Sequence, residues 1–391
     1  MIRKSVLLLL GGVSVATTGV AQQSKKPEAR AIAHQLIASA MLQEGQSVLV
    51  TGSVRDAGLM EDLAIEARKV GAQPLLSIWS ERLVRRSYDE VPAKYDDQEP
   101  KLDMAMTKLF DAQIFIDIGE SEGLLAGIPE GRIAARAKAF APVNEAILKR
   151  DVRFVNLGNA LYPTATLAKR LGITQARLAS GFWKGVAVPP EQMQAAGERL
   201  RGVFASGGTA QLTHPNGTSL TFDVSGRTPT ISSGVLTQAQ ATQGGAALFT
   251  WLPAGEFQLA AVPGSAEGKI VIDKALWRGK EIRGLTLAFS QGKLTSMAAR
   301  SGLETLKATY DAAGPGKERF GVIDIGLNPA VDFPLATGAI VWPQAGAVTV
   351  VVGNDVFSGG DNNADFQFAA QLGGASITVG GKPAVEKGRL Q

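Results

Sequence analysis

The spacing of apolar positions changes partway along the chain. From Pro27 to about Ser206, helical and extended periods alternate. Ile32, Leu36, Ile37 and Met41 recur at helical intervals, and Gly45 closes that run. Val48-Leu49-Val50 then reads as a buried strand. Leu59, Leu63, Ala64 and Ala67 form the next helical face, ended by Gly71, before the strand Leu75–Trp79. Helical stretches at 81–86 and 101–110 precede the strand Ile114–Ile118. A long helix over 132–149 precedes Arg153–Leu157. Four short apolar strands separated by helices predict an open parallel sheet, since parallel strands are covered on both faces. A further helix runs from Pro190 to about Ala205, with Pro at its start and Gly207-Gly208 after it.

Beyond that helix the period shortens. Segments 209–212, 219–224, 247–251, 269–272, 285–289 and 293–297 are short strands with turn residues between them. Residues 303–312 form one helix. Further strands follow at 319–325, 339–342, 348–352 and 375–379. The expected fold is an α/β open parallel domain over residues 22–206. A β-rich, barrel-like α+β domain of mostly antiparallel strands follows over 207–391.

Composition narrows the chemistry. The 391 residues are 45% hydrophobic and 19% charged, which is globular rather than disordered. With no Cys there are no disulfides, thiolate metal sites or Cys nucleophiles. Two histidines, His34 and His214, limit both zinc sites and Ser-His-Asp triads. The net charge of +4 is spread without a basic patch, so nucleic acid is not an expected partner. Residues 1–21 have the layout of a secretory signal. Arg3 and Lys4 precede an apolar run from Val6 to about Val15, and Gly19 and Ala21 suit the cleavage site. The expected location is periplasmic or secreted, with no membrane span after cleavage.

Generic motifs are weak. Gly119–Gly123 follows a strand but lacks the spacing of nucleotide-binding turns. Gly359–Asn363 has the composition of a calcium loop without its distant Glu.

One long pattern is more specific. Leu220–Arg227 is a strand ending in Gly226-Arg227. Then come Pro253-Ala254-Gly255-Glu256, Val262-Pro263-Gly264, Gly321–Asn328 with Gly326-Leu327-Asn328, Gly346–Gly353, and Gly359-Gly360-Asp361-Asn362. In order and spacing this resembles the aminopeptidase T family, the thermophilic metallopeptidases. The resemblance implies two divalent metal ions, held by two Glu, two His and one Asp, and removal of N-terminal residues from peptides. The metals would be Zn, Co, Mn or Mg. Peptides or amino acids would be the ligands, and a homodimer is an expected assembly.

Carried over residue by residue, the first Glu matches Glu256. The second falls on Val322, the two His on Thr349 and Gln367, and the Asp on Ala369. Asp324 lies two residues beyond Val322 on an expected strand and so shares its face. Asp324 and Glu256, with Asp355, Asp361 or Asp365, are candidates for an all-oxygen site for Mg, Ca or Mn. Arg227 is a candidate for holding a substrate carboxylate or for tying down its own turn. Three readings stay open: an exported binding or structural relative without a competent dinuclear centre, an exported hydrolase with a rebuilt carboxylate site, and a metal-free enzyme.

Overall fold

The structure is a computed structural model. It describes residues 27–119, 123–334, 337–338, 340–356 and 360–391. The signal expected at 1–21 lies outside these residues, as do parts of the 119–123 and 359–363 turns.

The first strands are β1 (Ser47–Gly52), β2 (Gln73–Ile78), β3 (Ala112–Ile116) and β4 (Arg153–Leu157). They are parallel and stand in the order β2-β1-β3-β4. Val48 and Val50, Ile114 and Ile116, and Val155 and Leu157 are buried, as the continuous apolar runs require. Leu36 of the helix Pro27–Ser39, Leu63 of Ala57–Lys69, and Leu178 and Phe182 of Gln175–Val186 complete this core. Three helices end close to where the sequence places them: Glu81–Asp89, Glu130–Lys149 and Pro190–Phe204. Two others, Ala165–Leu171 and Gln175–Val186, were not expected. Thr164 and Thr174 cap them by accepting the amides of Leu167 and Arg177.

The later strands are β5 (Thr209–His214), β6 (Thr218–Asp223), β7 (Thr230–Ser232), β8 (Phe249–Leu252), β9 (Glu256–Ala260), β10 (Glu267–Trp277), β11 (Lys280–Ser290) and β12 (Lys293–Ala298). After the helix Glu304–Ala312 come β13 (Phe320–Gly326), β14 (Val348–Gly353), β15 (Gln367–Leu372), β16 (Ser376–Val379), β17 (Lys382–Glu386) and β18 (Arg389–Leu390). Eight of them form one sheet, β12-β11-β10-β6-β5-β16-β17-β18. Five form another, β15-β14-β13-β9-β7. Their pairings are antiparallel, as the short period predicts. One apolar core joins them. Leu220, Phe222, Ile270 and Leu285 meet Phe257, Leu259, Ile323 and Val350 within it.

Two expectations need correction. The strand expected at 247–251 is β8, but it pairs in parallel with β4 as the fifth member of the first sheet. A four-residue apolar strand carries no local mark of its partner, so its place in the sequence misassigned it. The strand expected at 339–342 is not one. Residues 340–342 are irregular, and Val341 instead exchanges both backbone groups with the Gln371 side chain.

The chain passes from the first sheet into the second through β8 and β9. Asn328 fastens this passage. It is fully buried, and its amide donates to Gly185 O (2.9 Å) in the helix Gln175–Val186 and to Ala254 O (2.7 Å). Gly255 sits at φ +119°, and a Cβ there would lie 2.8 Å from Asn328 N. Only Gly tolerates that conformation and that approach. The next residue is Glu256.

Candidate functional site: a buried acid pair beside an apolar row

The five-stranded sheet has two unlike faces. Phe257, Leu259, Ile323, Ile325 and Val350 face the common core. Alternation sends Glu256, Gln258, Ala260, Val322, Asp324, Thr349, Val351, Ala369 and Gln371 to the other face. Register then sorts these into rows. Gln258 pairs with Asp324, Asp324 with Thr349, and Thr349 with Gln371. The neighbouring row is Ala260, Val322, Val351 and Ala369. Glu256 lies one step the other way, opposite Gly326 on β13 and Ser232 on β7.

Glu256 and Asp324 are 3% and 1% exposed. Glu256 Oε1 accepts a bond from Asn159 Nδ2 (2.6 Å), and Oε2 accepts one from Gln258 Nε2 (3.1 Å). Asn159 is itself held in place. Its backbone N–H donates to Asn156 Oδ1 (2.8 Å), and Asn156 Nδ2 donates to Asp117 Oδ1 (2.7 Å). A chain of hydrogen bonds thus runs from the end of the parallel sheet to Glu256. Asp324 is less well served. Gln258 stands opposite it, but the bond of normal geometry that Gln258 makes is to Glu256. Neither Asp324 oxygen has a hydrogen-bond partner among the described residues. The same holds for Thr349 Oγ1 and Ser232 Oγ.

A buried carboxylate without a cation is costly, so the neutral form gains. Burial pushes the Glu256 carboxyl up to about 7, against the pull of its bonds from Asn159 and Gln258. Burial pushes Asp324 well above the usual carboxylate range, and the charge of Glu256 pushes it further. Carboxyls in the neutral state can donate as well as accept. The pair can hold a proton where two carboxylates would repel.

The other candidates do not converge here. Val322 packs with Ala260, Val351, Trp342 and Ala369 in a small apolar cluster. Gln367 is exposed and donates to Asn354 O (2.8 Å). Asp355 is buried but accepts the Asn362 N–H (2.7 Å) in its own loop. Burial raises its pKa above the usual value. Asp361 is paired with Arg319 (2.6 Å), and Asp365 is exposed. Arg227 donates through Nε to Ala260 O (2.9 Å), tying its turn to the end of β9. His34 faces outward beside Glu66 (3.6 Å), and His214 bonds through Nε2 to Gly373 O in the turn between β15 and β16 (2.9 Å). Among the described residues, no three His, Asp or Glu side chains gather where an ion could sit.

An open parallel sheet joined to antiparallel sheets, with a polar site beside the joining strands, defines a two-part α/β and β-rich protein. The family follows from the sequence. The model for the thermophilic metalloprotease (M29) family matches residues 29–323, and the chain belongs to that family. Wild-type AmpT from Thermus thermophilus is similar in structure. Its TM-score is 0.70 at 17% identity, with 93% of this chain and 98% of that one covered. The 2,5-dihydroxypyridine dioxygenase of Pseudomonas putida KT2440 is also similar, with TM-score 0.58 at 13% identity and coverage of 93% and 96%. At these identities the likeness speaks for the fold. A search of curated proteins finds no match in sequence.

Proposed function

We propose that this chain is an exported member of the M29 family that does not hydrolyse peptides through a dinuclear metal centre. It serves instead as a binding or structural protein. The apolar row supports this most directly. Two of the five positions that would hold metal, Val322 and Ala369, pack with Ala260, Val351 and Trp342. Aliphatic groups offer an ion nothing, and dehydrating two divalent cations needs anionic or imidazole ligands in return. The remaining donors are Glu256, Asp324 and the Thr349 hydroxyl, with no imidazole among them. That set does not fit two metal ions.

The test is release of N-terminal residues from short peptides by the purified protein, supplied in turn with Zn, Co, Mn and Mg. No metal-dependent release above that of Glu256→Gln is expected. Release that depends on metal and is lost in Glu256→Gln would overturn the proposal.

One observation favours a second reading. Both Asp324 oxygens and Thr349 Oγ1, opposite each other on neighbouring strands, are buried without partners among the described residues, and oxygen donors of this kind suit a hard cation such as Mg, Ca or Mn. A rise in melting temperature with one of these ions, absent in Asp324→Asn, would favour it.

A further inference from the structure

The strand order of the parallel sheet creates a second place for chemistry. β1 is flanked by β2 on one side and β3 on the other. The chain therefore reverses its direction of winding between β1 and β3. In open α/β sheets, ligands bind outside the carboxyl ends of the strands at such a reversal. A cleft of about 530 Å³ lies there, within the size range of small-molecule sites. It is lined by residues that follow β1 (Ser53, Arg55), β2 (Arg82, Arg85, Arg86) and β3 (Ile118). It shares no lining residue with the acid pair.

Among the described residues, four arginines and one acid, Glu81, line it. Three of the four arginines are fixed in place, each paired with an acid. Arg55 pairs with the buried Asp56 (3.0 Å) and donates to Asp117 O (2.7 Å). Arg85 pairs with Asp89 (2.9 Å) and donates to Ala126 O (2.8 Å) and Leu124 O (3.2 Å). Arg86 is held by both oxygens of Glu90 (2.6 and 2.8 Å). Arg82 is exposed and has no acidic partner among the described residues. Fixed cations lose little freedom when a ligand arrives, and an arginine without a partner leaves its planar fork for an anion.

We infer that this cleft binds a small organic anion through a carboxylate or phosphate group, with Arg82 as the direct contact. The inference does not depend on the acid pair. The test is calorimetric titration of the purified full chain with inorganic phosphate and, separately, with succinate. Saturable binding of either probe is expected, and which one binds tells phosphate from carboxylate. Arg82→Gln should weaken binding at least about tenfold, the loss of one charge-assisted contact. Arg82 lies on the surface, so this variant should keep its fold, which circular dichroism would check. Arg86→Gln should weaken binding less, and Asp324→Asn should leave it unchanged. No saturable binding of either probe at about 10 mM, or equal binding by Arg82→Gln, would overturn the inference.

Discussion

Two adjacent rows on one face of the five-stranded sheet differ in almost every respect. One reads Gln258, Asp324, Thr349, Gln371. The other reads Ala260, Val322, Val351, Ala369. Backbone, sheet and face are shared, and both rows are largely withdrawn from solvent. The apolar row gains from burial and needs nothing more. The polar row needs partners and obtains them unevenly. Gln371 satisfies its amide on Val341, while Asp324 and Thr349 are left without partners among the described residues. The difference shows where the cost of this site is stored. The protein keeps two buried acids beside a row of aliphatic positions. It meets the cost by favouring protonation, since no cation among the described side chains compensates them.

The comparison breaks most sharply if the apolar row is made acidic. Val322→Glu would place a third carboxyl in a cluster of Ala260, Val351 and Trp342. Urea unfolding at pH 8 should show a loss of about 3 kcal/mol or more, the cost of an uncompensated buried charge. The loss should shrink at pH 5, where the added acid is neutral. An equal loss at both pH values would point to size rather than charge.

The polar row can be tested by pH alone. The folded state holds the Glu256 proton up to about pH 7, whereas the unfolded chain releases it near 4.5. Between those values the folded state binds more protons, so stability falls as pH rises. It is highest below about 4.5 and lowest above about 7. At about 1.4 kcal/mol per pH unit, Glu256 alone accounts for about 3 kcal/mol. Asp324 shifts in the same direction and adds to it. Unfolding free energies across pH 4.5–8 check this, and a flat profile would contradict it.

Replacing Asp324 should sharpen the contrast from the other side. Asp324→Asn removes the group that is costly to ionise and keeps its shape. At pH 8 it should raise stability by about 2 kcal/mol and flatten the pH profile, since a buried acid without partners is exchanged for a neutral amide. A loss of stability at pH 8 would mean that the carboxylate is compensated after all. The smallest expected effect is at Asn159. Asn159→Ala removes the donor to Glu256 and to Pro253 O, and should cost about 1 kcal/mol. It should also move the pH profile upward, because Glu256 loses a bond that favours its charged form.

The fold was legible where local pattern decides it. The strands β1 to β4 announce themselves as continuous apolar runs, although β2 at the sheet edge leaves Leu75, Leu76 and Ile78 exposed, and helix ends carry Gly or capping residues. β8 was misassigned because its pairing with β4 depends on tertiary contacts. β9 was overlooked, although Glu256-Phe257-Gln258-Leu259 alternates with a strand's period. Glu256 and Asp324 were legible as candidates, and the structure brings them together. Asn159, Gln258, Ser232 and Gln371 were not. Their roles arise from register between strands far apart in the chain, which no local spacing encodes. The Asn328 of the motif turned out to fasten helix to strand, a use that its sequence position did not reveal.

The most direct test is metal content. The purified protein would be incubated with Zn, Co, Mn, Mg and Ca, freed of excess, and measured for bound metal per chain. Acids kept neutral by burial predict trace metal only, and the same trace in Asp324→Asn. One or two ions per chain, lost in Asp324→Asn or Glu256→Gln, would contradict that picture and mean that the site holds metal through oxygen ligands.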